Sequence, residues 1–319
     1  MIQVRIVVPP DRVEAVLGVL ERSPAVVNVV HLPGSVRKPD GDLVMCEVAR
    51  EDASVIVGEL RALGIPHVGS ISIDPVDTTL SDAARRAERA ARGLPSDAVV
   101  WERVESIVGE STELSFSFLA FMTIATLIAA VAILVDSPVL VVGAMVVGPE
   151  FGPLAGFAVA LLQRRGALAR RSLIALLVGF GVAVLAAYAG TELMEALGLV
   201  SSGAHTQAVR PLTAFISKPS ALSFLVAYLA GTAGILSLTT SKSSVLIGVL
   251  ISVTTIPAAA NVAVAAAGDA WRECGEAAAQ LGLNLSALVL AGVVTLALQR
   301  AAFAARRRRQ GAPEAAARR

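Results

Sequence analysis

The residues with the most chemical potential lie in one apolar stretch, Gly143 to Pro153, which reads G-A-M-V-V-G-P-E-F-G-P. Its single carboxylate, Glu150, follows Gly148-Pro149 and precedes Gly152-Pro153. Prolines remove backbone donors and glycines loosen a helix, so the pattern predicts a broken helix. In a bilayer, the freed backbone groups need protein partners or a wet cavity, and a carboxylate is costly. The stretch therefore indicates a break that faces the protein interior.

Two interpretations of Glu150 remain open at this point. In the first, the carboxylate exchanges a proton or binds a cation during transport. In the second, it caps a half-helix that begins at Pro149, because proline suits the first helical position and the helix dipole stabilises an anion there. One residue can serve both roles.

A second polar set lies in the apolar stretch Val245 to Ala267, which resembles the first when Gly248 is aligned with Gly143. Thr254, Thr255 and Asn261 offer oxygen atoms to a polar substrate or ion, or they bond their own helix and its neighbours. Pro257 marks a second interrupted helix or kinks a structural one. Both alternatives stay open for each residue.

The elements that position these residues are membrane spans. The chain has 319 residues, of which 55% are hydrophobic and only 17% are charged, whereas about 25% are charged in a soluble globular protein. This composition predicts a multi-pass membrane protein whose main partner is the lipid bilayer. We count six spans: Leu114–Val135, Val139–Leu162, Ser172–Tyr188, Leu222–Leu238, Val245–Ala267 and Leu281–Phe303.

The arginines are segregated and indicate orientation. Arg164, Arg165, Arg170 and Arg171 follow span two, and Arg306 to Arg309 follow span six. The positive-inside rule places both segments in the cytoplasm, whereas the net acidic loop after span five suits the outside. We therefore predict an inner (plasma) membrane protein with cytoplasmic N- and C-termini, and no nucleic-acid partner.

The six spans divide into two groups of three, each with an interrupted helix in the middle. Because three is odd, the two halves would be inverted in the membrane. Inverted repeats with paired interrupted helices are typical of transporters, whose site lies near the midplane. The predicted fold class is thus an all-α membrane domain of two inverted three-helix repeats, over residues 114–305.

The soluble parts frame this domain. Residues 1–75 have the pattern βαββαβ, which predicts a cytosolic α+β ferredoxin-like domain. Residues 76–113 form connector helices, and 306–319 form a basic cytosolic tail. We expect the ferredoxin-like domain to regulate the protein or to assemble it as a homo-oligomer. His31 and His67 are interpreted as solvated strand-end residues rather than metal ligands.

Several motifs resemble a known family. The run Asp136-Ser137-Pro138, with Gly143-Ala144-Met145, Pro149 and Gly152-Pro153, resembles the signature of the domain-of-unknown-function family 389. The segment Gly234 to Thr239, with Gly248 to Pro257, is similar to its second motif. The resemblance covers all six spans and implies a membrane domain of unsettled activity, so it supplies no substrate.

These patterns favour a transporter of a small polar or ionic solute, and its alternatives are an ion channel and a membrane sensor or scaffold that transports nothing. A transporter requires Glu150 and the Pro257 region to face one polar cavity, whereas a scaffold would pack them dry, with Glu150 neutralised by a neighbour. An enzyme is not expected, and neither is a cofactor or metal, because the spans hold no catalytic or metal-binding motif. The predicted site comprises Gly148, Pro149, Glu150, Gly152, Pro153, Thr254, Thr255, Pro257 and Asn261.

Overall fold

The computed structural model describes residues 1–76, 78–91, 99–200, 211–213, 219–240 and 254–317. The chain divides into two compact units. The first comprises Met1–Val104 with Thr239–Ser241, and the second comprises Glu105–Leu238 with Lys242–Arg319.

The first unit is built on a four-stranded antiparallel sheet with the strand order β2-β3-β1-β4. The chain runs strand, helix, strand, strand, helix, strand, which is the predicted order, with one additional short helix before the last strand. Its elements are β1 (Ile2–Val8), α1 (Val13–Arg22), β2 (Val26–Arg37), β3 (Asp40–Val48), α2 (Ala53–Ala62), α3 (Ile65–Val68) and β4 (Ser70–Pro75).

Alternation along β1 explains how this sheet is covered. Ile2, Val4, Ile6 and Val8 are buried, while the residues between them face outward. A strand of period two presents one apolar face, and helices α1 and α2 cover it with apolar residues at helical spacing. The covering residues are Val16, Val19, Leu20, Ile56 and Leu60.

His31 lies within β2 and His67 lies in the short helix α3, so the prediction that both are strand-end residues is wrong, and His31 is not simply solvated. Its Nε2 atom lies 2.7 Å from Oδ2 of Asp42, and the other carboxylate oxygen accepts a hydrogen bond from the Gly34 N–H at 2.9 Å. The Gly34 N–H and the His31 ring hold the pKa of Asp42 below its ordinary value. The pair therefore closes the β2–β3 hairpin.

The connector contains two helices, α4 (Asp82–Ala90) and α5 (Trp101–Ser111). The Ser81 hydroxyl accepts a hydrogen bond from the Ala84 N–H at 3.3 Å, as the sequence predicts for this cap. The start of α5 packs on the first unit: the Trp101 N–H donates to the Ser54 hydroxyl, and that hydroxyl donates to Glu102. The predicted stop at Gly93 and Pro95 and the cap at Ser96-Asp97 lie outside the described residues.

Among the described residues of the second unit, four helices are long and apolar enough to cross a membrane. A bent pair of helices supplies a fifth candidate span, with an angle of 55° at its break. The helices are α6 (Phe116–Leu134), the bent pair α7 (Pro138–Val147) and α8 (Phe151–Gln163), α9 (Gly166–Ala196), α10 (Ala221–Thr239), α11 (Thr255–Ala267) and α12 (Trp271–Ala317).

The count of four or five candidate spans differs from the predicted six because of span five. Helix α11 has 13 residues, about 20 Å at 1.5 Å per residue, whereas the hydrocarbon core is about 30 Å thick. The predicted first part of this span, including Gly248, lies outside the described residues, as does Lys242. Val209, Leu212, Phe215 and Ile216 have the spacing of a helix, but Val209, Phe215 and Ile216 also lie outside the described residues.

Spans three and six are longer than predicted. Helix α9 begins at Gly166, so Arg170 and Arg171 lie in its first turns rather than in a loop. The apolar part of α12 runs from Trp271 to Ala302. Arginine has a good intrinsic helix propensity, and charge alone does not end a helix.

Helix α11 is the most deeply buried element of the second unit. It packs against α6, α7, α9 and α12, and ten of its 13 residues are buried. Five of them are alanines (258, 259, 260, 263 and 265), whose small side chains let neighbouring helices approach closely. Helix α8 packs in turn against α9 and α12.

Asp136 joins the turn after α6 to a distant segment. Its carboxylate accepts hydrogen bonds from the backbone N–H groups of Leu212 (3.1 Å) and Thr213 (2.9 Å) and from the Thr213 hydroxyl (2.8 Å). The residue has a φ of +51°, which aspartate tolerates better than most residues. These hydrogen bonds assign Asp136 a structural role in the turn after α6.

Candidate functional site

The predicted break between α7 and α8 is present and comprises Gly148, Pro149 and Glu150. Gly148 is extended (φ −69°, ψ 129°), as expected for a residue that precedes a proline. Helix α8 begins at Phe151, so Pro149 is not its first residue, and Pro153 lies within the first turn instead. Glu150 is at the N-cap position, but its side chain makes no capping hydrogen bond. Glu150 therefore does not cap α8 by a side-chain hydrogen bond, and α8 does not begin at Pro149 as predicted.

The Glu150 side chain is directed at the start of α11. It is 4% exposed, and its Oε1 atom lies 2.6 Å from the hydroxyl oxygen of Thr255, which can donate to it. Thr255 is fully buried and is the first residue of α11. The two segments that the sequence singles out, around residues 150 and 254–255, are therefore in contact.

The second carboxylate oxygen of Glu150, Oε2, is buried and has no hydrogen-bond partner among the described residues. It lies against Gly148, where a Cβ atom would be 2.4 Å from Oε2 and 2.7 Å from Cγ1 of Ile256. The backbone conformation of Gly148 suits any residue, so glycine is required here for space. The break, the carboxylate and the start of α11 form one close contact.

Polar groups continue from this contact towards α12. The Asn284 side-chain amide donates to the Thr254 hydroxyl at 3.0 Å and to the Thr254 carbonyl at 3.3 Å. The Gln280 side-chain amide donates to the side-chain oxygen (Oδ1) of Asn284 at 3.1 Å. Gln280 and Asn284 are each 1% exposed, and Thr254 is half-buried. These two amides and two threonines, Thr254 and Thr255, form a polar line that ends at Glu150.

Gln280 and Asn284 are missing from the predicted site. Two amide side chains four residues apart face the same side of a helix, and in an apolar span that pattern is a usable signal. The predicted span six begins at Leu281, which leaves Gln280 outside the membrane and hides the pair. The continuous helix α12 places both residues on one buried face.

The predicted residues do not all meet. Gly148, Glu150, Thr254 and Thr255 are brought together, whereas Asn261 is six residues further along α11, about 9 Å at 1.5 Å per residue. Pro257 and Asn261 are buried within the helix packing. Gly152 serves packing, because a Cβ atom there would be 2.4 Å from Cβ of Ser111.

A cavity of about 390 Å³ adjoins the break. Gly148 and Pro149 contribute to its wall, and the side chains of Glu150 and Pro257 do not. Glu113 pairs with Arg171 at 3.4 Å, whereas Glu110, the other acidic residue of the lining, has no ion pair with a described residue. The other lining residues are Ile107, Val108, Ser111, Ser115, Phe118, Phe121, Phe151, Gly152, Ala155 and Leu238.

The surroundings of Glu150 are nearly free of charge. Helices α6, α7, α8, α10 and α11 contain no Asp, Glu, Lys, Arg or His. Within the described part of the chain, no basic side chain pairs with Glu150, and no three His, Cys, Asp or Glu residues are grouped to hold a metal ion. Glu150 is therefore buried away from the cavity, as expected for a scaffold. It lacks a neutralising neighbour among the described residues, which is not expected for a scaffold.

Comparisons with known proteins add the family of the central region. No curated protein and no solved structure matches this chain. The region that contains the break, α8 to α11 and the Gln280–Asn284 pair does match a family. Residues 145–290 match the family described as Domain of unknown function (DUF389), which confirms the resemblance seen in the sequence motifs.

Proposed function

We propose that this protein is a membrane transporter of a small polar or ionic solute, with its site where the interrupted spans two and five meet. The observation that carries the proposal is the 2.6 Å contact between Glu150 and Thr255. Polar side chains and irregular backbone at membrane depth are expensive, and they are typical of substrate and ion pathways. Here both occur at one buried place.

Helix lengths support an internal repeat. Helices α6 and α10 both have 19 residues and begin 105 positions apart, at 116 and 221. Helices α8 and α11 both have 13 residues and begin 104 positions apart, at 151 and 255, with a proline as third residue in each. Helix α9 has 31 residues and the apolar part of α12 has 32, again 105 positions apart.

The packing of these helices is reciprocal. Helix α8 packs against α9 of its own half and α12 of the other half, and α11 packs against α12 of its own half and α9 of the other. Such reciprocal packing is expected if a pseudo-two-fold axis relates the two halves. We propose that this axis lies in the membrane plane, so that the halves are inverted.

Two ion pairs support the proposed orientation. Arg165 pairs with Glu105 at 3.2 Å, and Arg171 pairs with Glu113 at 3.4 Å. The segment before α6 and the segment before α9 therefore lie on the same face of the unit, as an even number of crossings between them requires. With the arginine-rich segment in the cytoplasm, the N-terminal unit is cytoplasmic, where it would regulate the transporter or assemble it as a homo-oligomer.

A second candidate function is a membrane sensor or scaffold. It is favoured by one observation, the exclusion of the Glu150 side chain from the cavity wall at 4% exposure. A transporter must open this contact during its cycle, whereas a scaffold would keep it closed. Flux measurements separate the two.

The test uses the full-length protein in liposomes. Concentration jumps of alkali cations, small carboxylates and zwitterionic amino acids are applied, and charge movement and internal pH are recorded. We expect wild-type protein to respond to at least one class, Glu150→Gln to lose the response, and Glu192→Gln, which changes an exposed carboxylate of α9, to retain it. An equal response of wild-type protein and Glu150→Gln would contradict the proposed site.

A saturating dependence of flux on concentration would indicate a transporter, and a linear dependence with large unitary currents would indicate a channel. A correctly folded wild-type protein that moves none of these solutes would favour the scaffold. Folding of each variant is checked by its size-exclusion profile and thermal unfolding.

A further inference from the structure

Among the described residues, no charge balances Glu150. Its carboxylate is 4% exposed, the five helices named above contribute no ionisable Asp, Glu, Lys, Arg or His, and no described basic residue pairs with it. An ionised carboxylate that is removed from water without a partner is strongly unfavourable. One unit of positive charge, and no more, makes this site neutral.

The donor atoms at the site restrict which kind of cation can supply this positive charge. Glu150 Oε1 meets the Thr255 hydroxyl, whereas Oε2 has no partner in the described part of the chain. A hard cation prefers oxygen ligands, and a proton needs only the carboxylate. A divalent ion would leave a net positive charge on the single Glu150 carboxylate, and among the described residues no group of three or more His, Cys, Asp or Glu side chains could hold such an ion.

Gly148 adjoins both this carboxylate and the cavity. It contributes to the cavity wall, and a Cβ atom built on it would lie 2.4 Å from Glu150 Oε2. The carboxylate and the cavity therefore share this backbone segment, which carries no side chain. The charged groups that face the cavity are Glu110 and Glu113, the latter paired with Arg171.

We infer that Glu150 binds one exchangeable monovalent cation, a proton or an alkali-metal ion, which reaches the carboxylate from the 390 Å³ cavity past Gly148. This inference deepens the proposed transport function and rests on it for its physiological meaning. In the closed arrangement, the cation neutralises Glu150 beside Thr255. When the break moves away from α11, the carboxylate opens to the cavity and exchanges the cation.

Carbodiimide labelling tests the inference without any flux measurement. Dicyclohexylcarbodiimide reacts with protonated carboxylic acids in apolar surroundings and leaves a stable N-acylurea, which peptide mass spectrometry locates. The full-length protein is labelled from pH 5 to 9 with N-methylglucamine, sodium or potassium as the only added cation. The exposed Glu192 serves as the internal control.

If the cation is a proton, the labelling rate at Glu150 falls by about tenfold per pH unit above its midpoint and does not depend on the alkali ion. If the cation is an alkali ion, sodium or potassium protects Glu150 against labelling where N-methylglucamine does not. Absence of labelling at every pH, or labelling that depends on neither pH nor alkali ion, would overturn the inference.

The route is tested by filling the cavity. Ala155→Leu adds a larger side chain to the buried wall, and Glu110→Trp adds one at an exposed position of the cavity lining in case the first variant does not fold. We expect both to slow labelling of Glu150 relative to wild-type protein, while Val142→Leu, on the exposed face of α7, leaves the rate unchanged. If a cavity-filling variant folds and its Glu150 is labelled at the wild-type rate, the proposed route through the cavity is refuted. If labelling behaves as expected but the protein moves no solute, the transport proposal is refuted and the cation site is retained.

Discussion

The carboxylate of Glu150 and the hydroxyl of Thr255 are 2.6 Å apart although 105 positions separate the two residues in the chain. Both groups are buried, so water does not compete for the hydrogen bond. The contact joins the break between α7 and α8 to the start of α11. Substituting either partner should therefore affect the packing of these helices.

Thr255→Val should lower the free energy of unfolding by about 1–3 kcal/mol, because it leaves a buried acceptor of Glu150 without its donor. The matched control is Thr232→Val, since the Thr232 hydroxyl bonds only the Tyr228 carbonyl of its own helix. Thermal unfolding in detergent measures both. Equal effects of the two substitutions would show that the Glu150–Thr255 bond contributes nothing specific.

Gly148→Ala should destabilise the protein by about 1–3 kcal/mol, as overpacking does, because its Cβ would overlap Glu150 Oε2 and Ile256. Gly143→Ala is the matched control: nothing lies within 4 Å of a Cβ at that position. In a helix interior, alanine is favoured over glycine by roughly 0.5–1 kcal/mol. Denaturant unfolding of both variants checks the difference, and a tolerated Gly148→Ala would show that the break is loosely packed.

Asn284→Ala and Thr254→Val should each destabilise the protein, and together by less than the sum. Their hydrogen bond at 3.0 Å should contribute a coupling energy of roughly 0.6 kcal/mol, the average for such bonds in membranes. A double-mutant cycle on thermal unfolding measures this coupling. Strict additivity would mean that the amide and the hydroxyl do not interact in solution.

Acid should remove the contribution of Asp42 to stability. The Gly34 N–H and His31 lower the pKa of Asp42 in the folded state, so the unfolded chain binds its proton more tightly. The stabilisation is present above the ordinary aspartate value and is lost as pH falls through the lowered pKa. Asp42→Asn should therefore lower the unfolding temperature of the first unit at pH 7 and converge with wild type in acid. A difference that persists at pH 2 would contradict this assignment.

The two cysteines provide a test of orientation. Cys46 is buried, which raises the pKa of its thiol to about 12, whereas Cys274 is half-buried near the start of α12. We expect a membrane-impermeant maleimide to label Cys274 from outside intact cells, and to label Cys46 only after lysis and unfolding. The Cys274→Ser variant is the control. Labelling of Cys274 only in inside-out vesicles would reverse the proposed topology.

Local patterns in the sequence determined the elements of this protein. Alternation at Ile2, Val4, Ile6 and Val8 specified a strand with one buried face, because side chains on a strand repeat every two residues. The Gly148-Pro149 dipeptide specified the break, because proline and the residue before it disfavour a continuous helix. Glu150 stood out because an isolated carboxylate in an apolar stretch is expensive.

Only the tertiary structure decided which contacts these elements make with one another. Apolar helices pack in many registers with similar energy, so the sequence did not reveal that Glu150 meets Thr255 or that Asn284 meets Thr254. It also did not reveal that Pro149 precedes α8 rather than beginning it. These contacts join segments far apart in the chain, and their geometry depends on side-chain packing and helix bending, which no local pattern encodes.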